Sequence, residues 1–264
     1  MITFKKNVCL YLLMCMVCLL ACEEAEDPIE VEPASEKTDV IQYGTVSGTV
    51  TDVGSGEPIF GATVTLQGLS AITGVDGGFA FHGIQYNDAH TLTVADVDYK
   101  PYSQPFAFSQ PRLTVDVVLT PLRDPEAEIR EFFDHFSDLL ESLDMDNIEA
   151  IRELFSEIYV AADDPATIFG VASGIIPENY EDVVPAMTQL FSEYVSLEFI
   201  FKDIEIDVTN ARKMAVTLRL DIDAEKGEDR DLRELDAHCK FEFRREGSDW
   251  KIVYWQLIEL DIRL

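Results

Sequence analysis

The stretch GTVSGTVTDVGSGEPIFGATVTLQG, residues 44–68, alternates small or apolar residues with threonine and serine on both sides of a Gly-, Ser- and Pro-rich break. The inward phase holds Val46, Gly48 and Val50 before the break, and Ala62, Val64 and Leu66 after it. Because successive side chains of a strand point to opposite faces, this period of two predicts two half-buried strands joined by a turn.

The same alternation continues to about residue 121. Its apolar positions are Phe79 and Phe81, Leu92 and Val94, and then Leu113, Val115 and Val117. Turn residues separate the runs at Asp76-Gly77-Gly78 and Asn87-Asp88. Short strands at close spacing, without a helical run between them, predict a small all-β sandwich over residues 44–121, which we call the sandwich.

The amino-acid sequence of this region resembles the carboxypeptidase regulatory-like domain. The phrases that carry the resemblance are the opening stretch, TGVDGGFAFHGI and LTVADVDYKPY. The resemblance implies a transthyretin-like sandwich of seven strands that acts as a spacer or docking module rather than as a catalyst. Asp98 departs from the pattern, because a glycine usually precedes the tyrosine at Tyr99.

From Glu126 the apolar period becomes 3.6, which predicts helices. The first stripe is Ile129, Phe132, Phe133, Phe136, Leu139, Leu140 and Leu143, and the second is Ile148, Ile151, Leu154, Phe155 and Ile158. Asp146 and Glu149 have capping-box spacing before the second helix. A third helix is predicted from Val183 to Tyr194, with Pro185 in its first turn.

Four alternating strands follow the helices. They run from Leu197 to Val208, Met214 to Ile222, Leu235 to Phe243 and Trp250 to Ile262. The phase of the first strand slips at Lys202-Asp203, which predicts a β-bulge. Helices followed by a bent antiparallel meander predict an α+β cone over residues 122–264, which we call the cone.

The order of elements in the cone resembles the nuclear transport factor two-like superfamily. REGSDWKIVYWQLIEL is similar to the last hairpin of SnoaL-like members, and DDPATIFG is similar to their early strand. The resemblance implies a curved sheet around a pocket closed by helices. Some members are isomerases, cyclases or dehydratases with an Asp, Tyr or His inside the pocket, and others only bind.

The N-terminus has the order of a bacterial lipoprotein signal. Lys5 and Lys6 precede an apolar run too short to span a bilayer, and Leu19-Leu20-Ala21-Cys22 resembles a lipobox. We therefore expect a signal peptide at residues 1–21 and a lipid on Cys22. An ordinary signal peptide with an incidental cysteine is the alternative.

Residues 22–43 are predicted to form a disordered acidic tether, because they have few apolar residues to offset the entropy of ordering. Glu23, Glu24, Glu26 and Asp27 loosely resemble a sorting signal for the outer membrane surface. These features predict a lipid-anchored, extracytoplasmic protein of the cell envelope, on the outer rather than the inner membrane.

Charge and cysteine content exclude several classes of function. The formal net charge is −30, and no segment is basic, so a generic nucleic-acid binder is excluded. Beyond Cys22 the only cysteine is Cys239, which excludes an internal disulfide or a cysteine-rich zinc site in the folded part. No metal and no cofactor is expected.

The sequence contains no motif that names a reaction. Asp163-Asp164 is interpreted as a solvated bend, and Asp221 and Asp223 as acids on the outer face of the sheet. Aromatic residues with a polar tip suit a ligand cavity, and the possible pocket walls of the cone are Tyr159, Tyr194, Phe199 and Trp255. No catalytic residue is assigned.

The favoured interpretation is a binding or accessory module of the envelope that recognises an unknown small molecule or envelope protein without catalysis. One alternative is a SnoaL-like isomerase, cyclase or hydrolase acting on a small hydrophobic molecule. Another is a homodimeric protein–protein scaffold. A buried acid or histidine in the cone would favour the enzyme, whereas an apolar or filled cavity would favour binding.

Overall fold

A computed structural model describes residues 40–161, 177–227 and 231–263. The predicted signal peptide, Cys22, most of the tether, Asp163-Asp164 and the DDPATIFG phrase lie outside the described residues. Residues 41–264 form one compact unit. None of the helices in the described ranges has the length and apolar composition of a membrane span.

The sandwich contains eight short strands in two sheets. The strands are β1 Tyr43–Asp52, β2 Thr63–Leu66, β3 Leu69–Ile72, β4 Gly78–Gln85, β5 Asn87–Ala95, β6 Tyr102–Phe108, β7 Arg112–Thr114 and β8 Val117–Leu119. One sheet has the order β4-β1-β7 with β8 also on β1, and the other has the order β3-β2-β5-β6. β1 begins at Tyr43, which is the last residue of the predicted tether.

The β7 and β8 strands pair in parallel with successive parts of β1, at Thr45–Ser47 and Val50–Asp52. They therefore act as one interrupted strand, which accounts for the seven strands that the resemblance implied. Gly48 of β1 lies opposite the interruption between β7 and β8, and a Cβ on Gly48 would overlap the carbonyl of Val115. Only glycine allows this close approach of two backbones.

The first helix of the cone, α1 Pro125–Glu141, starts with a well-formed cap. The Asp124 carboxylate accepts hydrogen bonds from the amides of Glu126 at 3.1 Å and Ala127 at 3.4 Å, and Pro125 occupies the first turn. Its buried face comprises Ile129, Phe132, Phe133, Phe136, Leu139 and Leu140, as the sequence predicted. Leu143, the last residue of the predicted stripe, lies beyond the helix and is only partly buried.

The second helix is shorter than predicted. It is α2 Ile148–Glu153, and the prediction that it continues to Ile158 is wrong, since Phe155–Ala161 form strand β9. The predicted capping box is also wrong, because Asp144 instead caps a short 3₁₀ turn, Met145–Asn147, by accepting from the Asp146 amide at 3.0 Å. A short apolar run fits either period, and here pairing with the sheet decided the outcome.

The third helix, α3 Val183–Glu193, leads directly into a five-stranded sheet. The strands are β10 Tyr194–Asn210, β11 Lys213–Lys226, β12 Asp231–Glu246 and β13 Asp249–Arg263, in the order β10-β11-β12-β13-β9. The bulge predicted at Lys202-Asp203 is confirmed, since the β10–β11 register shifts between Lys202 and Glu205 and Asp203 has a φ of 51°. It bends the sheet, whose inner face packs on the helices.

The hairpin between β10 and β11 contacts the sandwich. Ala211 at its tip is buried in the hydrophobic cluster of the sandwich, and its amide donates to the Tyr99 hydroxyl at 3.1 Å. Arg212 pairs with Asp96 at 2.6 Å and with Asp98. The joint between sandwich and cone is thus a packed and charge-paired interface, with Asp98 at its centre.

Candidate functional site

The edge strand β9 pairs irregularly with its neighbour β13. Phe155 pairs with Ile252 and Val160 pairs with Tyr254, so the four residues Ser156–Tyr159 oppose only one residue of β13. Such bulges re-aim side chains at the edge of a sheet. Here the bulge directs Tyr159 into the interior of the cone.

Aromatic rings surround Tyr159. Its ring lies edge-on to that of Phe155, with 4.9 Å between centroids, and Phe155 stacks on Trp255 at 6.5 Å. Trp255 continues the cluster to Phe241 at 4.5 Å and to Phe136 at 6.1 Å. Edge-on and offset contacts of this kind add to the free energy gained by burial.

The hydroxyl of Tyr159 is the unusual group in this cluster. The residue is 1% exposed, and its hydroxyl has no hydrogen-bond partner among the described residues. A buried polar group without a partner destabilises the folded state, so it calls for an explanation. Burial also raises the pKa of Tyr159 above its usual value, so the group stays a neutral O–H donor at every physiological pH.

The other predicted wall residues lie in the same hydrophobic core. Tyr194, Phe199 and Trp255 are buried in the cluster between the helices and the sheet. Lys226 lies over the Tyr194 ring at 5.8 Å, and the Phe199 amide donates to Glu141 at 2.8 Å. None of the four predicted residues lines the cavities described below.

Acidic side chains dominate a cavity of about 370 Å³ on the outer face of the sheet. Asp221 and Asp223 lie there, on the face predicted from the sequence, and Asp221 is paired with Lys202. The lining residues are Ile200, Lys202, Asp221, Asp223, Glu234, Leu235 and Asp236. The ion pair leaves an acidic groove open to solvent rather than a dry catalytic pocket.

Within the described ranges, no group of three His, Cys, Asp or Glu side chains has the geometry of a metal site. Burial raises the pKa of Cys239 to about 11, so its thiol is neutral at physiological pH and is a poor nucleophile. Among the described residues of the cone, no Asp, Glu or His is buried. Ser156 is also buried, but its hydroxyl donates to Glu246 at 2.6 Å. Tyr159 therefore carries an interior hydroxyl that has no partner among the described residues and can act on a ligand.

Sequence reasoning identified no site at the junction between sandwich and cone, although the short joint at residues 122–125 indicated that the two domains touch. Two cavities flank Arg212 there, one of about 250 Å³ and one of about 390 Å³. The only signal was Asp98, which stands where the resembling family usually has glycine. Its partner Arg212 lies 114 residues later in the chain, too far for any local pattern to connect the two.

Two family models match the chain, in the order that the two folds follow. Residues 45–120 match the carboxypeptidase regulatory-like domain. Residues 129–257 match the SnoaL-like domain. The chain is thus similar to a carboxypeptidase regulatory-like domain followed by a SnoaL-like domain. Tyr159 and its aromatic neighbours lie within the SnoaL-like match, and Asp96, Asp98 and Tyr99 lie within the other.

Solved structures similar to this chain match about half of it. A protein provisionally named scytalone dehydratase from Novosphingobium aromaticivorans is 13% identical over 52% of this chain and 85% of its own, with a TM-score of 0.43. A hexachlorocyclohexane dehydrochlorinase of type 3 from Novosphingobium barchaimii is 10% identical over 52% and 89%, with a TM-score of 0.39.

A third structure is provisionally named a calcium/calmodulin dependent protein kinase II association domain, from Xanthomonas campestris. It is 11% identical over 52% of this chain and 89% of its own, with a TM-score of 0.42. No curated protein matches the chain. The predicted fold class, a β-sandwich followed by an α+β cone with a curved sheet, is confirmed by the strand order and the two family models.

Proposed function

We propose that this protein is a lipid-anchored envelope protein whose SnoaL-like domain binds a small hydrophobic molecule carrying one hydrogen-bond acceptor. The observation that carries the proposal is the Tyr159 hydroxyl inside an aromatic cluster, which has no hydrogen-bond partner in the described part of the chain. A ligand oxygen that accepts from Tyr159 would remove the cost of burying the hydroxyl without a partner, and this cost makes binding selective.

The chemistry of the cluster defines the ligand class. Rings of Phe155, Trp255 and Phe241 favour a flat apolar body. Since Tyr159 stays neutral, it donates a hydrogen bond and does not abstract a proton. Among the described residues, Phe155 is the ring in contact with Tyr159, so we expect the Phe155 side chain to move when a ligand binds.

Membrane anchoring is a separate part of the proposal and depends on the N-terminal sequence. Lys5 and Lys6, the short apolar run and Ala21-Cys22 support cleavage before Cys22 and lipidation of its thiol. Acyl chains in the bilayer would hold both domains at the membrane surface. The acidic residues after Cys22 support the outer membrane as the destination.

The ligand proposal is tested with a matched pair of probes, 1-indanone and its hydrocarbon analogue indane, on the full chain carrying Cys22→Ser. We expect the ketone to bind about tenfold more tightly, because one buried hydrogen bond discriminates by about this factor. The carbonyl stretching band of the bound ketone should move to lower wavenumber. In Tyr159→Phe both the preference and the band shift should disappear.

Tyr254→Phe is the matched control, since Tyr254 lies in the same sheet and contacts Lys240 rather than the aromatic cluster. It should leave both readouts unchanged. Equal affinity of the two probes for the native chain, or absence of binding, would refute the assignment of Tyr159 as a ligand-binding donor.

Catalysis of the SnoaL-like kind is the second candidate, and the family match over residues 129–257 favours it. Tyr159 would then act as an electrophile that polarises a carbonyl or protonates a leaving oxygen. Such an enzyme also needs a base. Turnover of a bound ketone or alcohol that is abolished in Tyr159→Phe would favour this candidate over binding alone.

A further inference from the structure

The cavity of about 250 Å³ at the junction is built by both domains. The sandwich contributes Pro58, Ile59, Phe60 and Tyr99, and the cone contributes Asn210, Arg212, Lys213 and Arg244. We call it the junction cavity. Its sandwich wall is largely apolar, its cone wall carries three cations, and none of the described residues that line it is acidic. This is unusual in a chain whose net charge is −30.

The cations of the cone wall differ in how their charge is balanced. Arg212 pairs with Asp96 and Asp98, and Arg244 pairs with Glu246. Lys213 is exposed and has no ion pair among the described residues. It also stands directly opposite Arg244 in the β11–β12 ladder. Like charges in directly opposed positions destabilise a sheet, and a bound anion between them would relieve the repulsion.

The apolar wall ends in an exposed aromatic ring. Phe60 is 60% exposed, although its carbonyl is fixed by a hydrogen bond from Arg212 Nη1 at 3.3 Å. The loop is thus held against the cone while its ring stays uncovered. A large apolar ring beside uncompensated positive charge is complementary to a molecule with one anionic end and one apolar end.

We propose that the junction cavity binds a small organic anion with an apolar body. The anionic group lies between Lys213 and Arg244, and the apolar body covers Phe60. Arg212 is a positioning residue, because its charge is already satisfied by Asp96 and Asp98 and its role is to join the two walls. This site is separate from Tyr159 and does not depend on the function proposed for it.

The test measures naphthalene-1-sulfonate and the neutral naphthalene-1-methanol by calorimetric titration of the full chain carrying Cys22→Ser. We expect one sulfonate per chain, bound about tenfold more tightly than the alcohol. Lys213→Gln should remove this preference. Phe60→Ser should weaken both probes alike, by about tenfold, because both lose the same apolar contact.

Lys100→Gln is the control, because it removes the same charge as Lys213→Gln. Lys100 is exposed on the sandwich and does not line the cavity. It should leave both affinities unchanged. Both probes are also measured in Tyr159→Phe, because the alcohol has the flat apolar body and the oxygen acceptor proposed for the site at Tyr159, and the preference for the sulfonate should persist in this variant. Thermal unfolding confirms that each variant folds. The proposal is overturned if native protein binds the two probes equally or not at all, or if Lys213→Gln and Lys100→Gln weaken the sulfonate to the same extent.

Discussion

Arg212, next to the tip of the β10–β11 hairpin, forms an ion pair with Asp98 of the sandwich, across 114 residues of sequence. The same guanidinium pairs with Asp96, whose side chain is 3% exposed, at 2.6 Å. Asp98 is also the residue that departs from the family pattern. The departure therefore has a structural role, since Asp98 joins the sandwich to the cone.

Removal of the ion pairs that Arg212 forms with Asp96 and Asp98 should destabilise the whole compact unit. Arg212→Ala leaves the carboxylate of Asp96 buried without its counter-ion, and we expect the free energy of unfolding to fall by about 3 kcal/mol. Chemical denaturation followed by Trp fluorescence measures the loss. Calorimetry should show one unfolding transition in the native protein and two in Arg212→Ala, because the two domains of the variant would unfold separately.

Arg219→Ala is the control for Arg212→Ala, since Arg219 pairs with Asp236 at 3.0 Å on the exposed face of the sheet. Its effect should stay below about 1 kcal/mol, as for other surface pairs. Equal losses for Arg212→Ala and Arg219→Ala would show that the interface does not depend on Arg212.

Acid should weaken the hydrogen bonds that Glu128 accepts from Arg245 and Trp250. Burial alone would raise the pKa of Glu128, but hydrogen bonds from Arg245 and Trp250 outweigh burial and hold the pKa below its usual value. A lowered carboxyl pKa contributes stability above the pKa of the unfolded chain, and this contribution is lost as the pH falls through the folded pKa. The free energy of unfolding should therefore change less between neutral and acidic pH in Glu128→Gln than in the native protein.

The check is the free energy of unfolding from pH 7 to pH 3 in native protein and in Glu128→Gln. The two curves should converge as the pH falls. Glu131→Gln, an exposed residue of the same helix with no resolved partner, serves as the comparison and should preserve the native pH dependence. Parallel curves for native protein and Glu128→Gln would contradict the assignment.

Two buried tyrosines should respond to the same substitution with opposite signs. Tyr159→Phe removes a hydroxyl that has no partner among the described residues, so stability should rise, by at most about 1–2 kcal/mol. Tyr99→Phe removes the acceptor of the Ala211 amide, so stability should fall by about 1–2 kcal/mol. Urea denaturation of both variants measures the pair, and a loss of stability in Tyr159→Phe would mean that its hydroxyl is satisfied in the folded chain.

Lipidation predicts a change of location in Cys22→Ser. The native chain should sediment with the membrane fraction after expression in a bacterium that processes lipoproteins, and the variant should remain in the soluble fraction. Cys239→Ser is the control and should sediment like the native chain. Mass spectrometry of the mature native protein should show an acylated N-terminal Cys22, and an unmodified N-terminus elsewhere would disprove anchoring.

The sequence by itself determined both fold classes and most of the elements. Alternation from Val46 to Val117 and from Leu197 to Ile262 encodes which strand face is buried, and the 3.6 period of α1 encodes its inner stripe. These are local properties, because each depends on residues a few positions apart. The phase slip at Lys202-Asp203 predicted the bulge for the same reason.

Tertiary structure alone decided the strand β9, the burial of Tyr159 and the pairing of Arg212 with Asp98. Phe155–Ala161 fits a helical stripe as well as a strand, and pairing with β13 selected the strand. The junction joins residues more than a hundred positions apart, so no window of sequence contains both partners. Both candidate ligand sites arise from such long-range contacts, because a site needs side chains that only the folded chain brings together.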